Sequence, residues 1–216
     1  MSMCVIVGGG DFDGIEELPG ERDLLIAADR GYMYLEEMGL KPDIIVGDFD
    51  SYGKKPEAEG VEIVTLPKEK DETDMQAAVN IGEKRGYWNF HIYGGGGGRP
   101  DHTMANIQLI TYLAENRKFG YIHHNNTIMT VIRNCQFNLP KNNRGYVSVF
   151  SLSEISEGVS IRGLKYELED ERLNNAFPLG VSNEFEGRAA YIDVREGTLL
   201  VMWTKDAPEE GQDGSL

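Results

Sequence analysis

The chain has 216 residues, with 36 acidic against 21 basic side chains and a formal net charge of −15. That length can bury a substantial core as one large domain or two modest ones. The negative balance argues against a nucleic-acid scaffold, and no segment resembles a polybasic membrane patch. No apolar run approaches the roughly 20 residues of a membrane span, and Met1 to Val7 is too short and uncharged for a secretory signal. Cys4 and Cys135 lie far apart, in or beside apolar segments and without Cys-x-x-Cys spacing, so buried free thiols are expected. Together these features predict a soluble, cytoplasmic protein.

In chain order, residues 4–7 form an apolar run ending in Gly8-Gly9-Gly10, and residues 24–28 a second ending in Asp29-Arg30-Gly31. Helical spacing follows over residues 32–38, with Gly39 as the stop. Residues 44–46 end in Gly47-Asp48-Phe49-Asp50-Ser51. Residues 61–66 lead through Pro67 and Lys68-Glu69-Lys70 to Asp71, then to a helix over 73–85. Residues 90–93 end in five glycines, Gly94 to Gly98, before a helix over 101–116. Continuous apolar strands alternating with helices predict an α/β domain over residues 1–126, built on a doubly wound, mainly parallel sheet buried on both faces.

From Thr127 onward the pattern changes to short strands and turns. Residues 146–150 and 159–161 read as strands, and residues 189–195 and 198–204, joined at Glu196-Gly197, read as a hairpin. A smaller all-β sandwich is expected over 127–205, with 206–216 as a frayed, disordered tail.

Ligands of open α/β sheets bind beyond the carboxyl ends of the strands. Asp29, Asp48, Asp50, Asp71 with Asp74, and Asp101 all fall at such ends, which points to one shared acidic crevice. In extended backbone Asp48 and Asp50 would face the same side, where like charges repel unless a cation sits between them. Oxygen ligands suit Mg²⁺, although an acidic turn explains the same residues. Asp71-Glu72-Thr73-Asp74 also reads as a helix cap, with Asp71 at the N-cap and Asp74 three residues on. Lys68 and Lys70 could reach a phosphate or sit in a solvated loop.

Glycines between a strand and a helix let backbone N–H groups approach an anion, so Gly94 to Gly98 read as a phosphate cradle. The run is neither the dinucleotide fingerprint nor a Walker loop. Arg99 would add a charged donor, and Asp101 would cap the helix or bind metal. His102 reads equally as a catalytic, capping or packing group. In the β half, Ser182 and Asn183 supply donors and acceptors suited to a heteroaromatic ring edge, though a turn explains them too. Tyr166 reads as core packing or as an aromatic beside a turn. His123-His124 lacks ligand spacing and reads as strand-end surface.

Taken together, these motifs resemble the bacterial type of thiamine pyrophosphokinase (thiamine diphosphokinase). The resemblance rests on Ala28-Asp29-Arg30-Gly31, Pro42-Asp43, Gly47-Asp48-Phe49-Asp50-Ser51, Lys70-Asp71-Glu72-Thr73-Asp74, Gly97-Gly98-Arg99-Pro100-Asp101-His102 with Asn106, and Val181-Ser182-Asn183-Glu184. Their order and spacing match over nearly the whole chain. The resemblance implies an α/β catalytic domain followed by a β-sandwich, in a homodimer that binds thiamine between one subunit's catalytic domain and the other's sandwich. It implies transfer of a diphosphate group from ATP to the thiamine hydroxyl, giving thiamine diphosphate and AMP. Asp48, Asp50 and Asp74 would hold Mg²⁺, and Asp101 would join them in catalysis. Asp29, Lys70, Asp71, Thr73, Gly97, Gly98, Arg99 and His102 would surround ATP and its phosphates. Ser182 and Asn183 would bond the aminopyrimidine, with Tyr166 stacked on thiamine.

Three features depart from the family pattern: Tyr166 where Trp is frequent, a longer glycine run, and Pro100 where a bulkier apolar residue is common. A pterin-type pyrophosphokinase and a non-catalytic thiamine-binding module remain as alternatives. The Ser182-Asn183 element argues against the first, and the strand-end carboxylates against the second.

Overall fold

The computed structural model describes residues 2–49, 59–67, 69, 71–141 and 144–205. Asp50, Ser51, Lys68, Lys70 and the expected tail at 206–216 therefore lie outside the described residues. The chain divides into two compact units, Met1–Asn125 and Asn126–Leu216.

The first unit carries a parallel sheet. Its strands are β1 (Cys4–Val7), β2 (Leu24–Ala28), β3 (Ile44–Gly47), β4 (Glu62–Thr65), β5 (Asn89–Tyr93) and β6 (Phe119–His124), in the spatial order β6-β5-β1-β2-β3-β4. Every residue of β1, β2 and β3 is buried, which is why those strands read as unbroken apolar runs. Glu62 and Thr65 of β4, the last strand in that order, are exposed.

Three helices cover this sheet: α1 (Gly31–Glu37), α2 (Asp74–Lys84) and α3 (Pro100–Glu115). Each lies within one residue of the span its sequence predicts. Side chains alternate across a strand, so each helix can be assigned a face. Leu35 of α1 packs with Val5, Val7, Leu25, Ala27 and Ile45. Gly82 of α2 presses on the other face: a Cβ there would lie 2.6 Å from the Phe90 ring and 2.9 Å from Cys4 Sγ. Ile110 and Leu113 of α3 close over Gly120, which pairs in register with Phe90. No helix among the described residues is long and apolar enough to cross a membrane.

Two sequence expectations change within this unit. His123 is buried rather than surface-exposed; its ring stacks on Tyr93 with centroids 4.3 Å apart, and its Nε2 lies 3.0 Å from His91 Nδ1. The two cysteines also differ from each other. Cys4 is buried, and burial and then Asp43 push its thiol up, whereas Cys135, in the second unit, is exposed.

The second unit contains β7 (Thr127–Arg133), β8 (Gln136–Asn138), β9 (Tyr146–Ser151), β10 (Ile155–Arg162), β11 (Leu168–Asn174), β12 (Gly180–Glu184), β13 (Tyr191–Glu196) and β14 (Thr198–Thr204). They form two antiparallel ladders, β12-β9-β14-β7 and β11-β10-β13-β8. The hairpin expected around Glu196-Gly197 is corrected here. β13 pairs with β10 and β8, while β14 pairs with β7 and β9, so the turn carries the chain from one sheet to the other. Gly197 makes this crossing at φ +124°, a conformation open to glycine, and its N–H donates to Asn134 Oδ1 at 2.8 Å. Phe137 of β8 meets Trp203 of β14 between the two sheets, with ring centroids 5.7 Å apart.

Candidate functional site

A cavity of about 620 Å³ opens in the first unit, lined by residues that follow β1, β2, β3 and β5 and by the starts of α2 and α3. Two glycine runs are wired together along it. Gly8 N–H donates to the Tyr93 carbonyl at 2.8 Å, Gly10 N–H to the Gly94 carbonyl at 2.9 Å, and Asp11 N–H to the Gly96 carbonyl at 3.0 Å. Gly94, Gly97 and Gly98 have φ values of +61°, +76° and +61°, which only glycine adopts at little cost. From α3, buried Asn106 donates through Nδ2 to the Gly95 carbonyl at 2.7 Å. The Gly94–Gly98 segment is thus a fixed turn rather than a flexible linker. Glycine is required for contact as well as conformation, since a Cβ on Gly10 would lie 2.6 Å from the Gly96 carbonyl oxygen.

Asp29, Asp48 and Asp74 form the acidic part of the lining. Asp29 turns away from the end of β2 at φ +49°, with its N–H held by the Val46 carbonyl at 2.9 Å. Burial raises its carboxyl above the usual range, and the charges of Asp74 and then Asp48 raise it further. Its Oδ1 is buried without a hydrogen-bond partner. An orphaned buried carboxylate oxygen beside two like charges, in an all-oxygen donor set, fits a hard divalent cation such as Mg²⁺. No group of three His, Cys, Asp or Glu among the described residues is close enough to hold a metal by itself.

The reason for expecting Asp48 and Asp50 on one side needs revision. β3 ends at Gly47, and Phe49 is left-handed at φ +59° with its ring buried in the core. The alternation of extended backbone therefore stops before Asp50, which lies outside the described residues. A left-handed bulky residue stores strain, a cost that recurs at functional turns.

At the start of α2 the cap is Thr73, not Asp71: Thr73 Oγ1 accepts from Gln76 N–H at 3.1 Å, and Asp74 occupies the first turn. Thr73 lines the cavity; exposed Asp71 does not. Gly97, Gly98, Arg99 and His102 also line it, whereas Asp101 does not. Asp101 does not cap α3, whose N-cap position is Arg99. Instead its carboxylate takes two bonds from Arg99, at 3.2 Å from Nε and 2.6 Å from Nη2. The Arg99 hydrogen bond holds the Asp101 carboxyl below the usual range. Lys70 lies outside the described residues.

The lining also includes residues to which the sequence assigned no site role, among them Gly8, Gly9, Gly10, Asp11, Arg30 and Tyr34. Tyr34 donates its hydroxyl to the Gly10 carbonyl at 3.0 Å and stacks on Phe12 with centroids 4.9 Å apart. Three glycines directly after a strand were the visible signal.

In the second unit, Ser182 and Asn183 sit on strand β12, not in a turn. The register with β9 shifts between Gly180 and Asn183, and Ser182 is left-handed at φ +60°. This bulge leaves Ser182 exposed and Asn183 buried. Asn183 reaches the turn after β10, where Tyr166 presents an exposed ring rather than packing in the core.

These features define a two-unit protein: an α/β unit with a ligand cavity at the carboxyl ends of parallel strands, followed by an antiparallel β unit. Residues 15–120 match the family model for the thiamin pyrophosphokinase catalytic domain, and residues 134–199 match that for the thiamin pyrophosphokinase vitamin B1 binding domain. The chain belongs to the thiamine pyrophosphokinase family. It is 29% identical over 215 residues to thiamine pyrophosphokinase of Bacillus subtilis (strain 168), covering 95% of this chain and 100% of the relative. The crystal structure of thiamine pyrophosphokinase from Bacillus subtilis superposes with a TM-score of 0.82 at 24% identity, covering 95% of this chain and 100% of that one. Thiamin pyrophosphokinase from Geobacillus thermodenitrificans superposes with a TM-score of 0.80 at 28% identity, covering 95% and 98%.

Proposed function

We propose that the protein is a thiamine diphosphokinase, transferring a diphosphate group from ATP to the thiamine hydroxyl and releasing AMP. The observation that carries this reading is the match of both halves of the chain to the two domains of one family, in order. The hydroxyl oxygen attacks the β-phosphorus, and the bond from that phosphorus to the α,β-bridging oxygen breaks. Such a transfer needs positioning and charge neutralisation more than covalent help from the protein. The interlocked glycine runs position the polyphosphate, and Arg99, Lys70 and His102 add donors. Asp29 and Thr73 complete the ATP site within the cavity, with Asp71 outside its lining, two residues before Thr73. Asp48, Asp50 and Asp74 would hold Mg²⁺, with the orphaned Asp29 oxygen beside them, and the ion would supply charge neutralisation on the transferring phosphates. Asp50 or Asp101 accepts the hydroxyl proton. Asp101 takes that role only after Arg99 turns from it to a phosphate.

The finer architecture follows the same reading. Helices on both faces support a doubly wound catalytic domain over residues 1–126, and the Phe137–Trp203 contact supports a thiamine-binding β-sandwich over 127–205. Ser182 and Tyr166, exposed on that second unit, meet the aminopyrimidine and the face of thiamine. Exposed Phe177, Leu179 and Val181 on and before β12 support a homodimer with thiamine at the subunit interface. Two free thiols support a cytoplasmic location.

The test is incubation with Mg-ATP and thiamine followed by nucleotide analysis. AMP with thiamine diphosphate is expected. ADP as product would replace the reading with simple phosphoryl transfer, and unchanged nucleotide would leave a binding module.

A further inference from the structure

Asn183 was expected to meet the substrate, but its amide is engaged elsewhere. Its Oδ1 accepts from the Tyr166 N–H and the Glu184 N–H, both at 2.9 Å, and its Nδ2 donates to the Tyr166 carbonyl at 2.6 Å. Both oxygen lone pairs and one of the two amide protons are used. The side chain is 5% exposed, which leaves little of it for a ligand to reach. By bonding both the N–H and the carbonyl of one residue, Asn183 grips Tyr166 as a neighbouring strand would.

The residues just before Tyr166 are fastened to β12 and to the residue after it, and the turn is closed on itself. Lys165 N–H donates to the Glu184 carbonyl at 3.1 Å, and Lys165 Nζ pairs with Glu184 Oε1 at 2.6 Å. Leu164 bridges to Phe185, and Gly163 N–H donates to Glu167 Oε1 at 2.9 Å. Lys165 Nζ stands 5.4 Å from the centre of the Tyr166 ring. Despite this fastening of its backbone, the Tyr166 residue stays 58% exposed. A backbone held on both sides while its ring stands in solvent suits a planar ring ligand, because little ordering is left for binding.

We infer that Asn183 is a positioning residue: it holds the Tyr166 backbone so that the exposed ring is set to receive the planar acceptor, without touching the acceptor itself. The inference rests on the proposed acceptor site and adds a division of labour within it, with Tyr166 and Ser182 as contacts and Asn183 behind them.

The test is a double-mutant cycle on the full-length protein, with Asn183→Ala, Tyr166→Ala and the pair, reading thiamine KM, ATP KM and kcat. Asn183→Ala is expected to raise thiamine KM about tenfold, the equivalent of losing one well-made buried hydrogen-bond pair. ATP KM and kcat should hold within about twofold, which a general loss of structure would not allow. In the Tyr166→Ala background, Asn183→Ala should change thiamine KM by less than about twofold, because the ring through which it acts is gone. Fully additive effects would overturn the inference and restore Asn183 as a direct contact. An unmoved thiamine KM in Tyr166→Ala alone would instead overturn the acceptor site, and the inference with it. Asn183→Asp keeps the accepting oxygen and the volume, so it carries the same cycle if Asn183→Ala fails to fold. Thiamine KM for that variant should lie between wild type and Asn183→Ala.

Discussion

The interlock between the two glycine runs can be tested at a pair of positions with the same backbone and different surroundings. Gly94 and Gly98 both sit at φ +61°. A Cβ on Gly98 meets nothing nearer than Asp11 Oδ1 at 3.8 Å, so Gly98→Ala carries only the left-handed backbone cost of about 1–2 kcal/mol. A Cβ on Gly94 would overlap the Gly8 carbonyl oxygen and lie 3.0 Å from the Gly8 carbonyl carbon. Those atoms are backbone and cannot rotate aside, because Gly8 N–H is itself held by the Tyr93 carbonyl at 2.8 Å. Overlap of that kind adds about 1–3 kcal/mol, so Gly94→Ala should cost about 2–5 kcal/mol in all.

For a chain of this size each kcal/mol lowers Tm by about 2–4 °C. Thermal unfolding should therefore separate the two variants, with Gly94→Ala the lower. Steady-state kinetics should separate them in the same order, because displacing the Gly94 carbonyl also displaces its bond from Gly10 N–H. ATP KM should rise more in Gly94→Ala, while thiamine KM stays level. Equal melting temperatures would refute the contact between the runs. A lower Tm with unchanged ATP KM would keep the contact and refute its role in holding the nucleotide.

Other perturbations address separate features. Asp48→Asn and Asp74→Asn should each lower kcat by a factor on the order of 10² or more with the fold intact by circular dichroism; wild-type turnover in either would remove it from the metal site. EDTA should abolish turnover and Mg²⁺ should restore it, as checked by AMP release. Asn134→Ala should destabilise the second unit by about 1 kcal/mol through loss of the Gly197 N–H bond, and a chemical denaturation curve unchanged from wild type would count against the sheet-to-sheet crossing. A thiol reagent should modify Cys135 in the native protein and Cys4 only after unfolding. Because the Cys4 thiol is raised in the folded state, its contribution to stability is full below the ordinary thiol pKa and is lost as pH rises. Alkaline unfolding should accordingly be less steep in Cys4→Ala, and an identical pH profile would contradict that linkage.

Much of the first unit was legible because parallel strands buried on both faces leave unbroken apolar runs, as at Ile44–Gly47. The second glycine run was also legible, since glycines between a strand and a helix have few other uses. What failed were inferences that carried a local rule past its range. Glu196-Gly197 looks like a hairpin turn whether or not the flanking strands pair, and pairing is decided by β7, β9, β8 and β10, far away in sequence. Alternation beyond β3 assumed extended backbone, which Phe49 abandons to bury its ring. Asp71 and Thr73 both satisfy the composition of an N-cap, and only geometry selects Thr73. The first glycine run, Gly8 to Gly10, gained meaning only once its carbonyl partners at Gly94 and Gly96 were known.

The charge of the cavity would explain a phosphate-binding machinery built largely from backbone. Among the described lining residues, Asp11, Asp29, Asp48 and Asp74 outnumber Arg30 and Arg99, and Arg99 is already paired with Asp101. A bare polyphosphate entering such a lining meets net repulsion, in a chain whose overall charge is also negative. Backbone N–H groups at glycine turns attract phosphate without adding fixed positive charge. A divalent cation carried by the nucleotide would offset the carboxylates of that lining. On this reading the site selects the metal-bound nucleotide over the free one, because the cation turns both repulsions into attractions at once. At the proposed acceptor site Lys165 is likewise paired with Glu184, which would leave recognition to the fixed aromatic ring. In both units a buried asparagine on a neighbouring element, Asn106 or Asn183, holds a turn of the proposed site. On that reading specificity would come from pre-set backbone rather than from net charge, which suits a cationic vitamin and an anionic nucleotide handled by one acidic protein.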